Sequence, residues 1–267
     1  MHSPFDIMAE TYDADFTNTA IGQLQRKQVW DLLRPLLSLY KKPLKILEIN
    51  CGTGEDAVEL QSAGHEVIAT DRSEKMVEKA RRKAAAVGES QIVFQVCGFD
   101  QLREQFSHQK FDLVISNFGG LNCIDRYELE ILSRQLAALL TDQGKLFFVI
   151  MGSSCLWEIF YYVCKGRPTT AFRRHRKLVR FRSGDAEIPV FYHSPARVKK
   201  IFHSLYSCCY SKPVGLFIPP SYLEKQFQKR KSWLRSLTQL EKKFSRYPAL
   251  SNLADHYCIV FQKKGSL

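Results

Sequence analysis

The second half of this chain is short of acid. Residues 151–267 hold 6 Asp and Glu against 22 Lys and Arg, whereas residues 1–150 hold 21 acids against 17 bases. The formal charge of +12 therefore joins a first half at −4 to a second half at +16. Such a division points the basic half towards an anionic partner; a solvated face that only aids solubility is the plainer reading. A CxxC pair is also absent. The eight cysteines, at 51, 97, 123, 155, 164, 208, 209 and 258, are scattered, so no metal centre is expected. They suit small buried hydrophobes or free thiols in a reducing cytoplasm. Long apolar runs are missing too. Lys145 to Cys164 comes nearest, but Gly152-Ser153-Ser154 and Glu158 interrupt it, and a span needs about 20 mostly apolar residues. A buried strand followed by an amphipathic helix explains it, and no transmembrane segment is expected. The opening MHSPFDIMAETYDADF has acids and no continuous apolar stretch, unlike a secretory signal, so a cytoplasmic location is expected. Repeats and low-complexity linkers are lacking. The 267 residues, 45% hydrophobic and 25% charged, suit one large domain or a domain with a cap.

What is present alternates. Residues 18–40 carry Ile21, Leu24, Val29, Trp30, Leu33 and Leu36 at helical spacing, and Pro43 ends the pattern. Leu44–Ile49 then has the look of a buried strand, 54–63 of a helix, and His65–Thr70 of a second strand ending at Asp71. Ser73 can cap a helix running to about Val87, with Gly88 after it. Gln91–Val96 and Phe111–Ser116 suit third and fourth strands, Tyr127–Leu140 a helix, and Lys145–Met151 a fifth strand. Alternation of this kind predicts a doubly wound α/β sheet of parallel βαβ units. Tyr206–Phe217 and His256–Lys263, flanking a helical stretch over 220–246, add two strands and an antiparallel end.

The chemistry centres on Ile46-Leu47-Glu48-Ile49-Asn50-Cys51-Gly52-Thr53-Gly54-Glu55-Asp56-Ala57. Glycines at a strand-to-helix turn let a ligand approach the backbone, where a helix N-terminus offers free N–H groups. Asp71 lies 19 residues after Gly52, a distance that suits hydrogen bonds to ribose hydroxyls. Gly52-x-Gly54-x-x-Ala57 also satisfies a nicotinamide-dinucleotide fingerprint, so an NAD(P)-dependent oxidoreductase stays open on these residues alone. Glu48 weighs against it, because a carboxylate facing a pyrophosphate is unfavourable and one near an ammonium is favourable. The helical sequence before the first strand and the cluster Asn117-Phe118-Gly119-Gly120 closing strand four weigh the same way.

The stretch 44–151 resembles the core of class I S-adenosylmethionine-dependent methyltransferases of the small-molecule type. Their signature is E/D-x-G-x-G-x-G, followed by an acid ending strand two. The resemblance implies a Rossmann-like, mostly parallel seven-stranded sheet with an inserted cap, and S-adenosyl-L-methionine as cofactor. It further implies that Glu48 acts indirectly or through water near the methionine ammonium. Asn50, Gly52 and Gly54 would line the methionine portion, Asp71 would bind the ribose, and Arg72 and Met76 would flank the adenine. Gly98 and Phe99 would lie along the adenine, Asn117 and Phe118 at the end of strand four. Tyr12 resembles the tyrosine that closes over the cofactor in many small-molecule members. Two departures stand out: Asn50 replaces the first glycine, and Gly98 occupies the place of an adenine-binding acid, with Asp100 two residues on as a substitute. The regions expected are a helical segment over 1–43 closing on the cofactor, the core over 44–151, a basic aromatic cap over 152–205, and 206–267 completing the sheet.

For the acceptor, a small or lipid-like and possibly anionic molecule is expected, methylated on oxygen. His193, among Phe191, Tyr192 and Pro195, is the candidate general base; a structural histidine satisfied by backbone is the alternative. The run Lys165 to Arg182 holds eight Lys and Arg and no acid. It suits a carboxylate, a phosphate or peripheral contact with anionic lipid. Nucleic acid is the less favoured partner, since strand four lacks the Asn/Asp-Pro-Pro-aromatic signature of DNA aminomethyltransferases. A cofactor-fold protein using its basic half only for binding remains a non-enzyme alternative. The cap aromatics, Trp157, Phe160, Tyr161, Tyr162, Phe172, Phe181, Phe191 and Tyr192, suit either a substrate pocket or the cap's own core.

Overall fold

A computed structural model describes residues 4–183, 186–227 and 230–265. The chain opens with α1 (Pro4–Met8), a π-helical turn at Asp13–Thr17 and α2 (Ala20–Leu37). The alternating part follows as β1 (Lys45–Ile49), α3 (Glu55–Ser62), β2 (Glu66–Asp71), α4 (Glu74–Ala86), β3 (Val93–Val96), α5 (Leu102–Gln105), β4 (Phe111–Ser116), α6 (Arg126–Leu139) and β5 (Leu140–Met151). Then come α7 (Leu156–Cys164), α8 (Pro168–Ala171), a hairpin of β6 (Val179–Ser183) and β7 (Ala186–Val190), and α9 (Pro195–Phe202). The end of the chain forms β8 (Tyr206–Val214), α10 (Glu224–Phe227), α11 (Lys231–Phe244) and β9 (His256–Lys263).

Seven strands form one sheet in the order β3-β2-β1-β4-β5-β9-β8. The first five are parallel, and β9 runs antiparallel between β5 and β8. Side chains alternate between the two faces, as the period of a strand requires. Ile46, Leu113, Ile115, Phe147 and Val149 pack with α2, α3 and α4, while Leu47, Val114, Leu146, Phe148 and Ile150 pack with α5, α6 and α9. Both faces are thus covered, and the central strands are largely apolar, with Glu48 of β1 buried among them. Strand order reverses between β1 and β4, and a doubly wound sheet opens its ligand crevice at that point.

Local chemistry sets the boundaries. Ser73 accepts a hydrogen bond from the Met76 amide and starts α4. Asp125 and Glu128 form a reciprocal capping box at the start of α6. The helix expected to reach Leu140 stops at Leu139, because Leu140 pairs with Phe111 and draws the next four residues into β5. The strand expected over Tyr206–Phe217 ends at Val214, where Gly215 takes φ 71°. Of the segment 152–205, α9 buries Val198, Ile201 and Phe202 against the sheet. The β6–β7 hairpin is a separate two-stranded sheet. Among the described residues no helix is long and apolar enough to cross a membrane.

Candidate active site

A cavity of about 700 Å³ opens at the β1/β4 crevice, within the usual range for small-molecule sites. Tyr12, Glu48, Asn50, Gly52, Asp71, Arg72, Met76, Gly98, Phe99, Asn117 and Phe118 all line it. Gly54 lies in the same turn at the N-terminus of α3, one step back from the surface.

The turn is built from residues in left-handed conformations. Asn50, Gly52 and Gly54 have φ of 62°, 53° and 78°. Asn50 keeps this geometry because its side chain is tied down: Nδ2 donates to the Asn117 carbonyl at 2.9 Å and Oδ1 accepts from the Ser116 hydroxyl. Asparagine tolerates this region better than most residues, so its departure from the signature joins the turn to the end of β4. At Gly54 the constraint is packing, since a Cβ there would stand 2.7 Å from the Cβ of Ala80. Gly54→Ala is therefore expected to destabilise the fold by about 1–3 kcal/mol, read as a lower urea midpoint with unchanged slope.

Asp71 ends β2 with a carboxylate that the backbone positions. Oδ2 accepts from the Gly52 amide and Oδ1 from the Ser73 amide, both at 2.9 Å. Burial raises its carboxyl above the ordinary value, and these amides oppose the rise. Glu48 is more deeply placed. It is 1% exposed, its Oε2 has no hydrogen-bond partner, and burial followed by the charge of Asp56 pushes its pKa well up. An unpartnered buried carboxylate oxygen is costly, and a ligand ammonium is the chemistry that would satisfy it. The residues present therefore fit the amino-acid end of S-adenosylmethionine.

Other members of the site come from α2 and carry no local sequence signal. Arg26 reaches in to pair with Asp56 at 2.6 Å, and Asp56 also accepts from Trp30 Nε1 at 2.9 Å and Asn117 Nδ2 at 2.8 Å. Burial would raise the Asp56 carboxyl, but the Arg26 guanidinium overrides it and holds the group low. Arg26 also lies over the Phe118 ring, 5.0 Å from its centroid. Tyr12 sits beside Gly52, and burial pushes its hydroxyl up to about 12. The π-helical turn behind Tyr12 is latched down by Asp13, which accepts from Thr53 at 2.6 Å and pairs with Lys83 at 3.2 Å. Asp100, the substitute for the missing acid, also lines the cavity, 3.9 Å from Arg72.

His193 stands apart from this assembly. It does not line the cavity and is 2% exposed. Its Nε2 lies 3.1 Å from the Ile124 carbonyl, and its own carbonyl accepts from the Tyr257 hydroxyl at 3.0 Å. Burial lowers its pKa. The chain leaving β7 is stitched to the sheet at this point, so the ring points into packing; proximity to aromatics in sequence had suggested otherwise. None of the eight cap aromatics lines the cavity either; the cap contributes Ile188 and Pro189. The basic run is also partly internal. Arg174 is 4% exposed and bridges Glu158 at 2.7 Å and Asp255 at 2.6 Å.

Known proteins match this arrangement. Residues 46–144 match the family described as a methyltransferase domain. A tRNA 5-carboxymethoxyuridine methyltransferase of Escherichia coli (strain K12) is 34% identical over 87 residues, 32% of this chain and 33% of that protein. A demethylmenaquinone methyltransferase of Clavibacter sepedonicus is 30% identical over 133 residues, 49% of this chain and 51% of that protein. These alignments thus span a third to a half of the curated relatives. Among solved structures, the CcbJ methyltransferase from Streptomyces caelestis superposes with a TM-score of 0.66 at 15% identity, covering 99% of each chain. The magnesium protoporphyrin IX methyltransferase from Synechocystis PCC 6803, with SAH bound, superposes at 0.60 and 18% identity, covering 92% of this chain and 85% of that one. At such identities the structural likeness is one of fold, and the family match, over residues 46–144, spans the glycine turn, Asp71 and Asn117. Residues 46–144 are thus a methyltransferase domain, set in a chain whose overall fold is the one shared by these solved methyltransferases.

Proposed function

We propose that the protein is an enzyme that binds S-adenosylmethionine at the glycine turn and methylates an oxygen of a small, largely apolar acceptor. One observation carries the reading. The cavity that begins at Glu48, Asn50 and Asp71 continues to an apolar wall of Ile124, Ile131, Leu132, Ile188 and Pro189.

The cofactor, when bound, supplies an electrophilic methyl on a sulfonium. The chain's own residues position and shield. Glu48 receives the ammonium, Asp71 the ribose hydroxyls, and Gly98, Phe99, Arg72 and Met76 surround the base. Tyr12 and Phe118 exclude water on either side of the glycine turn. Orientation of this kind can supply roughly 7–11 kcal/mol of a displacement barrier. Among the described residues that line the cavity there is no histidine. We therefore assign the acceptor an oxygen already ionised near neutral pH, a carboxylate or an acidic phenol, which needs no general base. His193→Gln is accordingly expected to leave turnover within about twofold, whereas a general base would contribute about 10²–10⁴-fold.

A tRNA acceptor is the second reading, favoured by the 34% identity to the tRNA methyltransferase. Incubating the protein and methyl-labelled cofactor with a cell extract separates the two. Label in organic-soluble small molecules supports the first reading; label retained in the RNA fraction overturns it in favour of the second.

A further inference from the structure

We propose that the outward face of α7, with the basic segment that follows it, docks the protein onto anionic phospholipid bilayers. The inward face of α7 is fully engaged. Trp157 and Tyr161 pack on a small core of Ile21, Ile218, Leu223, Phe227 and Leu234, and Glu158 is buried against Arg173 and Arg174. The opposite face carries Leu156, Phe160 and Val163, spaced four and three residues apart and 46%, 67% and 50% exposed. Those intervals put all three on one stripe of the helix. Phe172, Leu178 and Phe181 continue the exposure downstream at 48%, 37% and 49%. Exposed apolar clusters of this kind mark a surface that meets an apolar phase.

The polar groups around it have the matching charge. Lys165, Arg167, Arg176 and Lys177 are exposed, and among the described residues none of them has a carboxylate partner. No acid occurs in the sequence between Glu158 and Asp185. Beside the apolar stripe, Tyr161, Tyr162 and Tyr222 with Lys165 and Arg167 line a separate recess of about 360 Å³. Tyrosine hydroxyls and cations at that level suit phosphate headgroups, while the aliphatic and phenyl side chains suit the acyl boundary. A second copy of the same face would set cation against cation. A nucleic acid would engage the cations but offers no apolar phase for Leu156, Val163 and Leu178. No residue of α7 lines the 700 Å³ cavity, whereas Phe181 faces Ile188 across the β6–β7 hairpin, and Ile188 does line it.

Sedimentation of the full chain with vesicles tests this. The expected result is pelleting with an equal mixture of phosphatidylcholine and phosphatidylglycerol and none with phosphatidylcholine alone. The double variant Phe160→Ser, Val163→Ser is expected to lower partitioning by at least about tenfold, the effect of withdrawing a buried phenyl ring. Lys165→Gln, Arg167→Gln should weaken binding as well. Both variants replace exposed residues and should keep the wild-type urea midpoint. A wild-type protein that stays in solution with the anionic vesicles overturns the proposal. So does a serine double variant that pellets like wild type, since attraction by net charge alone would then account for the binding. Binding of bulk tRNA that the serine substitutions abolish also overturns it, and would assign the face to nucleic acid.

Discussion

Asp71→Ala is expected to weaken S-adenosylmethionine binding by roughly 100-fold or more. Hydrogen bonds to a charged group contribute about 1.5–3 kcal/mol each, and the proposed role of Asp71 involves two ribose hydroxyls. The substitution has a second consequence, because the same carboxylate holds the Gly52 and Ser73 amides. Losing it releases the turn that presents the cofactor and frees the start of α4 from β2. Asp71→Asn separates the two effects. One acceptor oxygen survives to hold a backbone amide, so the fold should persist while affinity still falls. Calorimetric titration of the three proteins, alongside their urea midpoints, checks this. An Asp71→Ala protein that binds with wild-type affinity would remove Asp71 from the site.

Arg174→Ala is expected to lower global stability by about 3–5 kcal/mol, the usual result of stripping one partner from a buried ion pair. Arg174 joins three separate stretches, through Glu158 on α7, Asp255 before β9, and the carbonyls of Gly152 and Asp255. Without it two carboxylates are buried short of a countercharge. Burial opposes ionisation of both acids, but His256 and Arg174 beside Asp255, and Arg174 and Arg173 beside Glu158, override it and hold both carboxyls below their ordinary values. Depressed carboxyls contribute stability that is fully present above about pH 4 and is lost as pH falls towards their folded-state values. Wild-type stability should therefore decline on acidification through that window, and the variant should lack this component. Urea unfolding at pH 7 and at several acidic values measures both effects. A variant within 1 kcal/mol of wild type (roughly the median of an exposed pair) would mean the cluster is solvated.

The core was legible in sequence because its signals are local. Apolar runs bounded by Gly, Pro and Ser located five parallel strands, and Glu48, Gly52, Gly54 and Asp71 sit at fixed offsets along two of them. The antiparallel end was legible as two late strands, β8 and β9, that follow the five alternating units. What escaped depends on distance in sequence. Arg26 approaches Asp56 across 30 residues, and nothing around either residue distinguishes it from an ordinary charged position on a helix. The Lys165–Arg182 run suited binding to an external anion, yet Arg174 is internal because Glu158 and Asp255, 16 and 81 residues away, supply its partners. His193 misled in the opposite way, since aromatic neighbours in sequence signalled a pocket while its contacts are backbone carbonyls and packing. Side-chain partners chosen across the fold leave no periodic trace.

The central claim is that Glu48, the glycine turn and Asp71 form an S-adenosylmethionine site. Titrating the purified wild-type protein by calorimetry with S-adenosylmethionine, its demethylated product and NADPH tests it most directly. Saturable micromolar binding of the first two, with no heat from the third, is the result expected. Binding of NADPH alone would contradict the account and return the glycine turn to the dinucleotide-dependent oxidoreductases.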